Sequence, residues 1–240
     1  MNDLTNKIKT AIDVVQRAQR NYDLSKSIPQ DDLNLLVYAA SNSPSKQNET
    51  HLSLHIFTDE YIIKQIYDCT KKFTLGIKEA LEEDKGEQWL YNHKSVKNSQ
   101  IYANALFVYV EDEGEARGAT HLRGKHGDDF GRQVLNEQKN YSMGISVGEL
   151  ILTAGLLGYK TGICSAMEEE PIKKILGIEN KPKLLVGVGY ENTGIDRRLH
   201  AETLNKDIPE ERRTGKLEDK WRFPSFEKNI KVYINGSKNT

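Results

Sequence analysis

Cysteine is scarce in this chain: Cys69 and Cys164 are the only two. Two isolated thiols build no disulfide framework, and they lack the paired spacing of a structural zinc site. A reducing compartment is expected. An excess of charge of either sign is also missing. The formal net charge is −1 although charged residues make up 29% of the chain, so no global field draws nucleic acid or an anionic membrane, and any anion site must be local. Long apolar runs are absent too. The most apolar segment, residues 149–159, is too short to span a bilayer and contains Thr153. The N-terminus, MNDLTNKIKTAIDVVQRAQR, mixes charged and apolar residues where a secretion signal needs an unbroken apolar stretch. Together these absences predict a soluble cytoplasmic protein. A length of 240 residues suits a single domain over residues 1–240, with one layered core held alone or shared between two subunits. Internal repeats and low-complexity tracts are lacking.

The periodicities that are present suggest how the chain is organised. Leu4, Ile8, Ile12 and Val15 recur at helical spacing and predict a first helix to about Arg20, its apolar stripe against a core. Pro29 and the acidic pair Asp31-Asp32 announce a second helix that buries Leu33, Leu36 and Val37 and stops near Ser43-Pro44. Residues 52–57 alternate as a strand, after which Asp59 caps a helix carrying Ile62, Ile63, Ile66 and Tyr67. Residues 104–110 (NALFVYV) form the clearest strand, apolar enough to be buried on both faces. The polar, glycine-rich stretch 111–139 reads as a long loop or lid, possible short helix included. A helix from about Tyr141 ends at Gly158, residues 161–166 run extended, a short helix follows Pro171 to Gly177, and residues 183–190 make the next strand. Residues 231–234 are a last candidate strand. Irregular alternation of helices and strands predicts an α/β sandwich, helices packed around one sheet.

Four stretches carry chemistry. Arg17-Ala18-Gln19-Arg20, followed by Tyr22, places two arginines three apart on one face at a helix end, where they can clamp a phosphate dianion or simply offset the helix dipole. Ser43-Pro44-Ser45-Lys46-Gln47-Asn48 is a rigid proline turn with short hydroxyl and amide side chains, equally readable as an ordinary Ser-Pro turn. Residues 146–166 join a glycine-stopped helix to an extended segment ending Cys164-Ser165-Ala166. Residues 184–190 are a strand followed by the basic pair Arg197-Arg198.

Taken in this order, from about Ala11 to Arg198, the stretches resemble the nitroreductase family. The family's Arg-Ser-x-Arg has Ala18 in place of its serine, and its Ser-Pro-Ser-x-x-Asn loop continues here into Thr50-His51-Leu52 instead of the common Gln-Pro-Trp. The resemblance implies an α+β fold, a mainly antiparallel central sheet surrounded by helices. It further implies a homodimer in which residues 205–240 form an extension wrapping the partner subunit, so that a C-terminal segment is exchanged. FMN is the implied cofactor, reduced at N5 by NADH or NADPH in a ping-pong sequence and reoxidised by a nitroaromatic, a quinone or a related small-molecule acceptor. Arg17, Ala18, Arg20, Arg197 and Arg198 are implied at the phosphate. Pro44, Ser45, Lys46 and Asn48 would reach across the dimer, and Cys164 with the Ser165 and Ala166 backbone amides would sit beside N5. Lys94 and Lys97 are candidates for the flavin pyrimidine edge. No side-chain acid or base is required, since the flavin supplies the chemistry and the protein supplies position and electrostatics. The alternative is a flavin-binding or scaffold protein of the same fold with little or no turnover, motivated by Ala18 and by Thr50-His51-Leu52.

Other signals fail. Gly187-Val188-Gly189 lacks the third glycine of a dinucleotide fingerprint. His121, His126, Asp128 and Asp129 have no ligand spacing, His51 and His55 are spaced by four but sit near a predicted strand and make no zinc pair, and Cys164 reads as a small buried residue, not a nucleophile.

Overall fold

The computed structural model describes residues 3–45, 48, 52–71, 73–74, 95–112, 128–195, 197, 232–234 and 237–239. The first half contains α1 (Asp3–Val15), α2 (Gln30–Ser41), β1 (Leu52–Phe57), α3 (Glu60–Asp68), the short strands β2 (Phe73–Thr74) and β3 (Ser95–Val96), a 3-10 turn (Ser99–Ile101) and β4 (Ala105–Glu111). The second half contains α4 (Asp128–Leu156), β5 (Lys160–Cys164), α5 (Glu169–Leu176), β6 (Pro182–Gly189), β7 (Val232–Ile234) and β8 (Ser237–Asn239).

The central sheet has strand order β1-β4-β6-β5, and every pairing in it is antiparallel. β4 lies inside the sheet, and its side chains alternate between two cores. Ala105, Phe107 and Tyr109 pack with Leu36 and Ala40 of α2 and with Val147, Leu150 and Ala154 of α4. Leu106, Val108 and Val110 pack with Ile63 and Ile66 of α3 and Ile172 of α5. That is why the run reads as continuously apolar: both faces of the strand are covered. Three layers result, helices on each side of one antiparallel sheet. The local punctuation follows the expected chemistry. Asp59 accepts from the Tyr61 amide at 2.8 Å and starts α3, while Gly177, at φ 65°, supplies the left-handed residue that ends α5.

Two expectations are corrected. The first helix ends at Val15, not near Arg20, because the Gln19 amide donates to the Thr161 carbonyl at 2.8 Å and draws the chain onto the sheet. Its stripe is not against this chain's core: Leu4, Ile8 and Ile12 are 60%, 37% and 50% exposed, and only Ala11 is buried. α1 instead meets α4 backbone to backbone, since a Cβ on Gly155 would lie 2.6 Å from the Ala11 carbonyl. Second, the expected loop over 111–139 is largely ordered helix at its far end, because α4 begins at Asp128 and not near Tyr141. Polar residues and Gly131 hide this helix, whose early turns are fixed by buried Leu135 and by Lys139, paired with Glu111 at 3.0 Å. The rest of the proposed lid, 113–127, lies outside the described residues. The candidate strand near 231–234 is borne out as β7, which pairs with β8 of its own chain (Val232 opposite Asn239). Most of the 205–240 extension lies outside the described residues.

Candidate functional site

β5 is an edge strand, so its outward groups need partners from elsewhere. The Thr161 carbonyl takes the Gln19 amide at 2.8 Å, and the Ile163 amide donates to Gln100 Oε1 at 3.2 Å. Gly162 and Gly187 stand opposite each other across β5 and β6. A Cβ on either would collide with the Gln100 carbonyl, so the two glycines let the 3-10 turn lie flat on the sheet. The Tyr22 hydroxyl donates to that same carbonyl at 3.1 Å, and Asn98 Oδ1 accepts from the Gln100 amide at 3.1 Å.

The segment after α1 is stitched to the far end of the same strands. Tyr22 forms a bridge with Glu191, and the Asn192 amide donates to the Asn21 carbonyl at 3.2 Å. Asn104 spends its amide group on the Asp23 and Lys26 carbonyls (2.8 and 2.7 Å) while its Oδ1 accepts from the Tyr190 amide at 2.9 Å. Arg197 Nη1 donates to the Ala18 carbonyl at 3.5 Å. Two cations from distant sequence thus meet. Burial, and then the neighbouring Arg197 guanidinium, push Arg20 down to about 10, against partial relief from Tyr22. Like charges that share a desolvated corner are stabilised by an anion between them. The helical-face pairing of Arg17 with Arg20 is overturned: α1 has already ended, and Arg17 is exposed in the bend that follows. The arginine that joins Arg20 is Arg197. Arg198 lies outside the described residues.

A cleft of about 570 Å³ opens beside this corner, between α1, α4 and β5. Ile12, Ala18, Gln100, Leu152, Thr161 and Ile163 are among its walls. Ala18 belongs to both features, since its side lines the cleft and its carbonyl receives Arg197. The geometry is a mainly apolar slot with the Arg20–Arg197 pair joined to it through Ala18.

Ser43, Ser45 and Asn48 line a different cavity of about 420 Å³, next to Ser142, Ser146 and Tyr109. Ser146 donates to the Ala40 carbonyl at 2.6 Å. Its one hydrogen is thereby used, so the Tyr109 hydroxyl donates to Ser146 at 3.1 Å. This ties the end of α2 to α4 and fixes where the loop leaves. Asn48 adopts φ 55°, its amide donating to the Ser45 carbonyl at 3.2 Å. Pro44 is exposed, and Lys46 and Gln47 lie outside the described residues.

The remaining candidates divide. Lys97 is paired with Asp68 at 2.8 Å, and Lys94 lies outside the described residues. The Cys164 side chain is buried in the core shared with α3 and α5, and burial pushes its thiol up in spite of the Ala166 carbonyl and Asn98. Any contact it makes at the cleft is therefore through main chain. Ser165 is exposed just past β5, and the Ala166 carbonyl accepts from the Lys71 amide at 2.9 Å. Sequence reasoning missed Gln100, Tyr109 and Ser146. The glycines at 162 and 187 were visible, but nothing linear says what lies over them.

This architecture is an α+β fold, an antiparallel sheet between helical layers with two neighbouring arginines near an edge strand. The nitroreductase family model matches residues 15–190, and the chain belongs to that family. Its structure is similar to a candidate NAD(P)H:FMN oxidoreductase from Staphylococcus epidermidis, with 15% identity, a TM-score of 0.54, and coverage of 87% of this chain and 97% of that one. It is also similar to a nitroreductase family protein from Clostridium novyi (16% identity, TM-score 0.54, coverage 80% and 89%). A candidate NADH oxidase from Clostridium acetobutylicum matches at 18% identity and a TM-score of 0.51, with coverage of 84% and 99%. At these identities the likeness is one of fold. No curated protein matches the sequence. Among the described residues no helix is long and apolar enough to cross a membrane.

Proposed function

We propose that the protein is an FMN-dependent oxidoreductase that passes reducing equivalents from NADH or NADPH to a small-molecule acceptor, a nitroaromatic, quinone or related compound, in a ping-pong sequence. One observation carries the reading: Arg20 and Arg197 lie close enough to repel, and Arg197 reaches the carbonyl of Ala18, a residue of the apolar cleft's wall. A planar ring system with a phosphate tail matches a slot of that polarity, and the donor set offers one anion corner, suited to a single terminal phosphate. FMN, when bound, supplies a ring atom that accepts and donates hydride. The chain's own work is to hold it: Arg20 and Arg197, with Arg198, neutralise the phosphate, Ile12, Leu152 and Ile163 keep water from the ring, and the backbone at Ser165 and Ala166 offers donors near the reacting edge.

The active unit on this reading is a homodimer. Each chain carries two half-sites, the cleft and the Ser43–Asn48 cavity, with Pro44, Ser45, Lys46 and Asn48 of one subunit completing the cleft of the other. Support comes from α4, where Phe130, Tyr141, Ile145, Leu152 and Leu156 are all exposed. At 3.6 residues per turn they fall within an arc of roughly 80°. Ile12 of α1 adjoins that stripe at the cleft. A stripe of this extent on one chain is a surface for a second copy. The terminal segment would add to the same embrace.

The test is the absorption spectrum of the purified protein, followed by mixing with NADH and with NADPH. Flavin bands that bleach rapidly support the enzyme. A stable, inert flavin supports the binding-protein alternative, and failure to bind added FMN refutes both.

A further inference from the structure

The hydrogen-bond ladder of α2 breaks in its last turn. Pro44 stands four residues beyond Ala40 and has no N–H, so the regular helical bond to the Ala40 carbonyl cannot form. Ala40 is 4% exposed, and a backbone carbonyl left there without a donor is costly. The donor comes from another helix. Ser146 Oγ of α4 donates to the Ala40 carbonyl at 2.6 Å, and the Ser43 hydroxyl adds a longer bond of 3.5 Å from the loop side. Tyr109, on β4 inside the sheet and 1% exposed, donates in turn to Ser146 at 3.1 Å. A chain of hydroxyls thus runs from the middle of the sheet to the first residue of the Ser43–Asn48 loop. Ile145, next to Ser146, is 42% exposed and belongs to the apolar stripe of α4. One turn of α4 therefore holds the loop of its own chain on one side and presents the stripe on the other.

We propose that Ser146 and Tyr109 are positioning residues for a flavin site they do not touch: by completing the end of α2 they fix the Ser43–Asn48 loop where it meets the flavin of the partner subunit. The inference rests on the shared-site homodimer reading above. Without the Ser146 hydroxyl, the Ala40 carbonyl either stays unpaired or turns towards water, and the chain at Pro44 turns with it. Ser45 and Asn48 are then displaced together, and hydrogen bonds weaken steeply when donor and acceptor are misaligned. A residue that only packs the core would weaken the cleft of its own chain. Ser146 acts on the cleft of the other.

Mixed dimers, co-expressed with two different tags and purified through both, test this with Ser146→Ala and Arg20→Met placed either on different chains or on the same chain. On different chains, the cleft of the Ser146→Ala subunit meets an intact loop from its partner, so one site of the dimer is wild type throughout. On the same chain, the unaltered cleft receives the loosened loop, and neither site is wild type. Fluorescence titration with FMN reads the tighter site of each dimer. The expected result is wild-type affinity for the different-chain dimer and binding about fivefold weaker, the worth of one neutral hydrogen bond, for the same-chain dimer. The reverse order assigns Ser146 to the site of its own subunit and overturns the proposal, and so does equal affinity in the two dimers. Should Ser146→Ala not fold, Tyr109→Phe replaces it in both dimers, since the ring still fills the core and only the hydroxyl is lost; the same order is expected, and equal affinities overturn the proposal. Wild-type protein that binds no FMN, or that sediments as a monomer, instead overturns the reading on which this inference rests, and the inference with it.

Discussion

Arg20→Met separates the two roles a half-buried arginine can have. Methionine keeps an unbranched apolar stem in the corner and removes only the charge and its hydrogen bonds. A hydrogen bond between charged groups contributes about 1.5–3 kcal/mol, and tenfold in affinity corresponds to about 1.4 kcal/mol. FMN affinity should therefore fall roughly 10- to 150-fold. Riboflavin, which has the same ring and no phosphate, should bind wild type and variant alike. The apo protein should not lose thermal stability, because the cation removed is one that Arg197 repels and burial penalises. Fluorescence titrations with both flavins, at low and high salt, are the assay, and wild-type FMN binding should weaken only modestly with salt, because a contact in a desolvated corner is screened less than an exposed one. The reasoning is refuted if FMN and riboflavin lose affinity equally, or if the variant unfolds more easily while FMN binding is untouched. Either result makes Arg20 a structural residue and removes the phosphate-binding end of the proposed site.

Placing glutamates at Tyr141 and Leu156 together should yield a monomer by sedimentation, with helicity unchanged because both side chains are already exposed in the single chain; a persistent dimer would show that the α4 stripe is not the interface. Gly187→Ala should lower stability by about 1–3 kcal/mol in urea unfolding, since the new Cβ meets the Gln100 carbonyl and comes within 3.0 Å of Ile101 Cα; wild-type stability would mean that the turn is free to move. Glu111 is penalised by burial but pulled below the ordinary 4.5 by Lys139 and Lys183. Its contribution is complete above about 4.5 and is lost as pH falls through the lower folded-state value. Urea midpoints of Glu111→Gln should accordingly fall less steeply than wild type on acidification, and parallel curves would remove Glu111 from the acid transition.

What the sequence reveals is set by range. Asp59, Gly177 and the alternating β4 run act on residues within one or two turns of themselves, and their consequences appear where the pattern puts them. The first helix misleads for the same reason. Leu4, Ile8 and Ile12 have the spacing of a core-facing stripe, but spacing does not say whose core, and here the stripe faces outward. The early turns of α4 are hidden by Gly131 and polar residues, because their anchors, Leu135 in the core and Lys139 on Glu111, are tertiary.

The site shows the same limit more sharply. Motif order places Arg20 and the 197–198 pair in one functional group, yet the reason Arg20 and Arg197 meet is a set of bonds from Gln19, Asn21 and Tyr22 to the edge strand β5 and to the residues just past β6, none of which has a local signature. Arg17 looked equivalent to Arg20 only while the helix was taken to continue. Once Gln19 is bound to Thr161, residues three apart no longer share a face. Gln100 is the extreme case. It follows a weakly patterned stretch, and its importance comes from two glycines on strands 62 and 87 positions away that leave room for its carbonyl. A glycine pair across two strands marks a place where another part of the backbone must lie close, and whatever occupies that place is held more rigidly than its own sequence suggests. In this chain the residue so held is Gln100, which lines the cleft.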